Sequence, residues 1–228
     1  MKQLFIILLY LILVKDTNIK NFQSGEVTYK ISMSKEIIEK GKANPKLKRL
    51  FKSASDVEFQ LLFNKKASEY KKIKAMQNDA NSRFNITEIE AGGKNVFYFD
   101  LETKENIYSK SIDSETYLIS RPTYIWKITK DSTTIGDYNC LKAILLNDEG
   151  EEMKIFAWFT TQIPLGYGPK NFNGLPGLIL RLNSGKAVYN ATKIKLLDKK
   201  IVLNKPEEGI RLTYKEFKNR FKGVFDQN

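Results

Sequence analysis

The sequence predicts a mainly β protein: one large curved antiparallel sheet, an open barrel or a sandwich, with a short N-terminal helical excursion and a C-terminal amphipathic helix. Three observations predict it. From Asp56 onward, ten strand-sized segments alternate with turn signals rich in Gly, Asn, Asp and Ser. Aromatic side chains make up 12% of the 228 residues, as 14 Phe, 11 Tyr and 2 Trp, and large flat side chains favour strands. No segment recurs at a fixed period, which argues against a propeller or a solenoid.

The chain opens with MKQLFIILLYLILVKDTN, in which Lys2 precedes an apolar run from Leu4 to Val14. That run is too short to cross a bilayer, which takes about 20 residues. A basic start, a short apolar run and a polar exit have the shape of a secretory signal peptide. The exit lacks a small-x-small pair, so residues 1–23 read as a signal peptide or a retained N-terminal anchor. Residues 24–228 then form a single β-rich domain.

In EVTYKISM, Val27, Tyr29, Ile31 and Met33 fall on one side, the period of a half-buried strand. Ser34 stands where it would cap a helix through SKEIIEKGK, and Asn44-Pro45 precedes a second helical segment, NPKLKRLFKSA. The ten strand-sized segments follow: VEFQLLF, SEYKKIK, NVFYFDLE, NIYSKSI, ETYLISR, YIWKITK, YNCLKAILLN, EMKIFAWFT, LPGLILRLN and AVYNATKIKLLD. Between them NKK, MQNDANS, AGGK, DSTTIGD, NDEGEE and NSGKA read as turns. Near the end Thr213 and Glu216 have capping-box spacing, and Tyr214, Phe217, Phe221 and Phe225 share one helical face. Lys215, Lys218, Arg220 and Lys222 lie opposite, so this helix is expected to dock its rings on the sheet.

Several chemistries are excluded outright. The chain has no histidine, which removes Ser-His-Asp and Cys-His catalysis and His-ligated zinc. Cys140 is its one cysteine, so it has no internal disulfide, thiolate zinc or iron–sulfur site. Cys140 lies in the apolar run YNCLKAILL and reads as a small buried hydrophobe. No phosphate-binding glycine loop is present. No cofactor and no metal are expected. Carboxylate chemistry survives in principle. Its candidates, Asp148, Glu149, Glu151 and Glu152, then Asp113 and Glu115, then Asp100 and Glu102, sit in or beside turns.

The formal charge of +12 is spread over several patches, the densest between Lys40 and Lys52 and between Lys65 and Lys74. With no zinc-finger, RNP-like or basic-zipper pattern, nucleic acid is not an expected partner. Lipid, lipopolysaccharide or an anionic glycan suits an exported basic protein better.

The most distinctive stretch is NFNGLPGLILRL, residues 171–182. Gly174 and Gly177 give backbone freedom and close approach, and Pro176 stiffens the kink that launches a strand from Leu178. A strict strand would place Leu178, Leu180 and Leu182 opposite Ile179 and Arg181. The loop before it, from Thr160 to Asn173, is flanked by Trp158, Phe159, Tyr167 and Phe172. These four rings either pack over one end of the sheet or form the rim of an apolar binding cleft.

These segments carry a family resemblance. Trp126-Lys127-Ile128, Tyr138-Asn139-Cys140-Leu141-Lys142-Ala143, Ala157-Trp158-Phe159-Thr160, Ile163-Pro164, Gly168-Pro169, Phe172 and Gly174-Leu175-Pro176-Gly177-Leu178-Ile179 occur in the order usual in the GLPGLI family. The chain resembles that family over residues 120 to 195. Asp137 departs from its pattern, standing where Gly is usual. The resemblance implies an exported Bacteroidetes protein with a β-rich fold, and it brings no catalytic residues. The expectation is a non-enzymatic cell-envelope module, in the periplasm, at the outer membrane or secreted, that binds or carries an apolar or amphipathic ligand. A basic structural protein on anionic surface polymers, or a carboxylate-dependent glycan hydrolase, is the alternative.

Overall fold

A computed structural model describes residues 21–73 and 84–222. The apolar N-terminal run, the MQNDANS turn and Phe225 lie outside the described residues. The chain begins with β1 (Ser24–Met33), α1 (Lys35–Ala43), α2 (Lys48–Lys52), β2 (Val57–Asn64) and β3 (Ala67–Lys72). It continues with α3 (Ile86–Ala91), β4 (Phe97–Asp100), β5 (Asn106–Ile112), β6 (Glu115–Ser120) and β7 (Trp126–Ile135). Next come β8 (Tyr138–Leu146), β9 (Glu152–Thr160), β10 (Leu178–Asn183), β11 (Ala187–Leu197), β12 (Ile210–Thr213) and α4 (Tyr214–Arg220).

All twelve strands belong to one open sheet in the order β12-β6-β5-β4-β3-β2-β1-β11-β10-β9-β8-β7. The mainly β expectation therefore holds, as a single curved sheet that does not close into a barrel. β1 lies between β2 and β11 and joins two meanders, β2 to β6 on one side and β7 to β11 on the other. Its alternation is real: Val27, Tyr29 and Ile31 have no exposed surface. Lys30, between two of them, reaches Asp56 at 2.9 Å in solvent.

The 17 residues of loop between β9 and β10, 161–177, fold back into the concavity of the sheet and fill it. Ile163 and Tyr167 are fully buried. The Tyr167 ring packs 5.8 Å from that of Phe63 on β2 and 6.2 Å from that of Phe99 on β4, and its hydroxyl donates to the Asn64 carbonyl at 3.1 Å. The loop is held by its own backbone: Gly174 N donates to Gly166 O, Leu178 N to Ile163 O, and Ile179 N to Tyr167 O. Its polar main chain is thereby satisfied in the interior.

Four local expectations are corrected. β12 pairs with β6 in parallel, so the sheet is not wholly antiparallel. A short helix, α3, stands between the MQNDANS and AGGK segments, where only turns were expected. β7 runs through the first part of DSTTIGD as far as Ile135. In β10 the register slips between Ile179 and Arg181. A bulge there puts two residues opposite one, so Leu178, Ile179, Leu180 and Leu182 are all buried and only Arg181 of this run is exposed. The caps meet expectation. The Ser34 side chain accepts from Ile37 N, and Thr213 and Glu216 form a reciprocal capping box. No helix among the described residues is long and apolar enough to cross a membrane.

Candidate functional site

A cleft lies between the β5–β6 hairpin, α3 and α4, with Lys170 and Asn171 of the loop plug in its lining. Its volume is about 420 Å³, within the range of small-molecule sites. Alternation in β5 places Tyr108 and Lys110 on one face, and cross-strand pairing sets Lys110 opposite Tyr117 of β6. Phe97 of β4 stacks on Tyr108 with centroids 5.3 Å apart. These rings form one wall.

α4 forms the opposite wall. Its capping box fixes the first turn, and its rings dock on Tyr117, with centroids 6.1 Å away for Phe217 and 5.3 Å for Phe221. Tyr214, Phe217, Lys218 and Phe221 face the cleft. Lys110 Nζ stands 5.4 Å from the Phe217 ring, and burial pulls its ammonium below the usual lysine range. Arg121, just beyond β6, crosses between the walls: its guanidinium carbon is 3.9 Å from the centroid of the Tyr214 ring and 5.6 Å from that of Tyr124. Both rings lie within cation–π range of the guanidinium.

The floor comes from the loop plug and α3. Lys170 adopts φ +55°, a left-handed backbone unusual for a residue with a side chain. Its Nζ donates to the Glu90 carbonyl at 2.8 Å and lies 3.6 Å from the Glu90 carboxylate. The Glu90 carbonyl, at the C-terminal end of α3, also accepts from the Tyr189 hydroxyl at 3.0 Å. Burial pulls the Lys170 ammonium below the ordinary lysine range, against the attraction of Glu90. Asn171 is 4% exposed and donates through Nδ2 to Asn106 Oδ1 at 2.9 Å. Ile89 of α3 is exposed at the mouth.

The cleft therefore joins four cations, Lys110, Arg121, Lys170 and Lys218, to five aromatic rings. Among the described residues no Asp or Glu lines it. Of the four rings singled out around the 160–173 loop, Trp158, Phe159, Tyr167 and Phe172, none lines it. Phe159 and Tyr167 have no exposed surface, and Phe172 is buried in a stack on Tyr124 with centroids 5.0 Å apart. Trp158 is half-buried on the opposite face of β9 from Phe159, with Lys142 Nζ 6.0 Å from its ring. Phe159, Tyr167 and Phe172 serve the packing of the plug.

Gly174 takes φ +90°. A Cβ on Gly177 would fall 2.1 Å from the Thr160 carbonyl oxygen, so β9 and the plug approach as only glycine permits. Leu175, Leu178 and Ile179 enter the core, and Pro176 is exposed.

The carboxylates named in the sequence are engaged in turns and surface pairs. Asp100 accepts from Glu102 N and Thr103 N. Glu151 accepts from Asn147 Nδ2, and Glu152 pairs with Lys127 at 2.6 Å. Glu115 accepts from the Tyr117 hydroxyl. No cluster of three or more metal-ligating side chains occurs among the described residues.

Residues 146–181 match the model of a family described as a protein of unknown function, Porph_ging. No curated protein matches the chain. The fold is similar to that of PNGF-II in its P21 crystal form, with a TM-score of 0.56 and 18% identity over 86% of this chain and 32% of that one. In the C2 form of PNGF-II the TM-score is 0.54 at 16% identity, with the same coverage. At these identities the likeness is one of fold, and the chain spans about a third of the length of PNGF-II.

Proposed function

We propose that the chain is an exported cell-envelope binding module of the GLPGLI type, which takes an anionic ligand with an apolar or flat body into the cleft between β5, β6, α3 and α4. The observation that carries this reading is the lining: Lys110, Arg121, Lys170 and Lys218 beside Phe97, Tyr108, Tyr214, Phe217 and Phe221, with no Asp or Glu among the described lining residues. The Glu90 carboxylate balances Lys170 at 3.6 Å, and Arg121 and Lys218 add positive charge that attracts an anion. The rings supply contact area. The export and family parts of the reading are supported by the N-terminal apolar run and by the motif order around residues 174–179.

A carrier that holds its ligand inside the sheet has less support, because the 161–177 loop occupies that volume with its own side chains. A glycan hydrolase would need two carboxyl groups about 5 to 9.5 Å apart in the cleft, and the described lining residues offer none.

The test uses 8-anilinonaphthalene-1-sulfonate, an anionic aromatic probe, titrated calorimetrically into the folded protein. Binding is expected to weaken steeply with salt. A Lys110→Gln/Lys218→Gln variant should lose at least fivefold in affinity, while Lys46→Gln/Lys48→Gln/Arg49→Gln on the helical excursion should bind like the wild type. Equal loss in both variants would assign binding to diffuse surface charge and overturn the reading.

A further inference from the structure

We infer that the occupant of the cleft is an acidic saccharide, its oxyanion seated on Arg121 and a neighbouring hydroxyl on Asn171. This inference rests on the reading of the cleft as an anion site.

Arg121 is the first observation. A guanidinium has five N–H donors in a planar fork. Here two aromatic rings flank it, with the Tyr214 centroid 3.9 Å and the Tyr124 centroid 5.6 Å from its guanidinium carbon. Among the described residues no carboxylate pairs with it, and no protein oxygen accepts from its side chain. An arginine with no protein acceptor keeps its N–H edges available, and those edges match a carboxylate or phosphate in a bidentate bond. A lysine in the same place would offer charge without that fork.

Asn171 is the second. It is 4% exposed, lines the same cleft and spends Nδ2 on Asn106 Oδ1. Its Oδ1 has no protein donor among the described residues. The atom is open to the cleft, so a ligand hydroxyl can donate to it. A hydroxyl donates; a lipid chain does not. Asn95 adds a second amide to the lining. Polar floor, aromatic walls and an unclaimed arginine fork together suit a sugar ring, whose C–H faces lie on Tyr and Phe while its hydroxyls reach amides.

The shared chemistry is an oxyanion on a polyhydroxylated ring, and the source of that oxyanion is either a uronic carboxylate or a phosphate ester. The experiment is calorimetric titration of the full chain with trigalacturonate, with glucose 6-phosphate and with neutral galactotriose, and competition of each against 8-anilinonaphthalene-1-sulfonate. Trigalacturonate or the sugar phosphate should bind and displace the dye, the stronger of the two identifying the oxyanion, and neutral galactotriose should bind at least tenfold more weakly. Arg121→Lys should weaken the acidic sugar at least tenfold while its unfolding temperature stays near that of the wild type. Should that variant fail to fold, the wild-type contrast between acidic and neutral sugars decides alone. Neutral sugar bound as tightly as acidic sugar, or Arg121→Lys bound like the wild type, overturns the inference. Dye binding that no sugar displaces overturns the sugar and leaves the anion cleft standing; absence of dye binding removes both.

Discussion

The guanidinium carbon of Arg121 lies 3.9 Å from the ring centroid of Tyr214, and this contact ties the end of β6 to the first residue of α4. It is the shortest cation–aromatic approach among the described residues, and it bridges two walls of the cleft. Tyr214→Ala removes the stack and part of the wall. A half-buried cation–π contact is worth about 1 kcal/mol, which for a domain of this size lowers Tm by about 2–4 °C. Tyr214→Phe keeps the ring and should unfold within about 1 °C of the wild type. Thermal unfolding by circular dichroism reads both, and an equal loss in the two variants would show that the hydroxyl, not the ring, carries the contact.

The glycines of the 174–179 segment should differ sharply in tolerance. At Gly177 a methyl group would lie 2.1 Å from the Thr160 carbonyl oxygen, so the backbone of β9 or of the plug must move. Overpacking against main chain costs about 3 kcal/mol. At Gly174 the space is open, the nearest atom being 3.6 Å away, and the cost is that of holding φ +90° with a side chain, about 1–2 kcal/mol. Denaturant unfolding should therefore rank wild type, Gly174→Ala and Gly177→Ala in falling stability, and the reverse order of the two variants would contradict the packing described.

Alkaline pH should unfold the protein through its buried tyrosines. Tyr29, Tyr70, Tyr167 and Tyr189 each donate to a backbone carbonyl, of Ile179, Ala91, Asn64 and Glu90 respectively. Burial raises all four phenols above their ordinary range. Because the folded pKa is the higher, their stabilisation is complete below pH ~10 and is lost as pH rises above it, by about 1.4 kcal/mol per pH unit for each group. Lys110 and Lys170 act in the opposite sense, their folded pKa values being lowered, but that gain ends near the usual lysine pKa and involves two groups against four. Tyrosinate absorbance at 295 nm should show a late fraction that appears together with loss of the circular dichroism signal. Full ionisation with structure intact would contradict the burial.

Cys140 should be inert while the chain is folded. It is buried, and burial pushes its thiol up to about 11, so the thiolate that reacts is scarce near neutral pH. Its Sγ donates to the Tyr138 carbonyl at 3.6 Å. Ellman's reagent at pH 8 should modify it at the rate of unfolding, and urea should accelerate the reaction by orders of magnitude. Fast native labelling would place it in an accessible site.

Much of the architecture was legible because it depends on local period and local caps. β1 reads from Val27, Tyr29, Ile31 and Met33, α1 from Ser34, and α4 from Thr213 and Glu216. What was not legible depends on partners distant in sequence. β12 has four residues, and nothing in IRLT announces parallel pairing with β6. The bulge at Leu180 follows from how β10 meets β9. α3 did leave a signal in Asn85 and Glu88, spaced as cap and third helical residue; the Asn85 side chain does accept from Thr87 N. The cleft is the hardest part, because Arg121, Lys110, Asn171, Ile89 and Tyr214 come from five separate parts of the chain and share no spacing. The aromatic stretch around Tyr167 is dense because its rings fill the interior.

The central place of β1 also governs the order in which the fold can be completed. β1 is made first, yet one of its two neighbours is β11, with Tyr29 opposite Ala191, about 160 residues later. At 5–20 residues per second a ribosome needs roughly 10–30 s to supply that partner. The β2–β6 meander can pair with β1 meanwhile, which leaves the other edge of β1 as an uncovered template for strands of neighbouring chains. During synthesis that edge is the aggregation hazard of this molecule, and a chain held extended until β11 has emerged would avoid it.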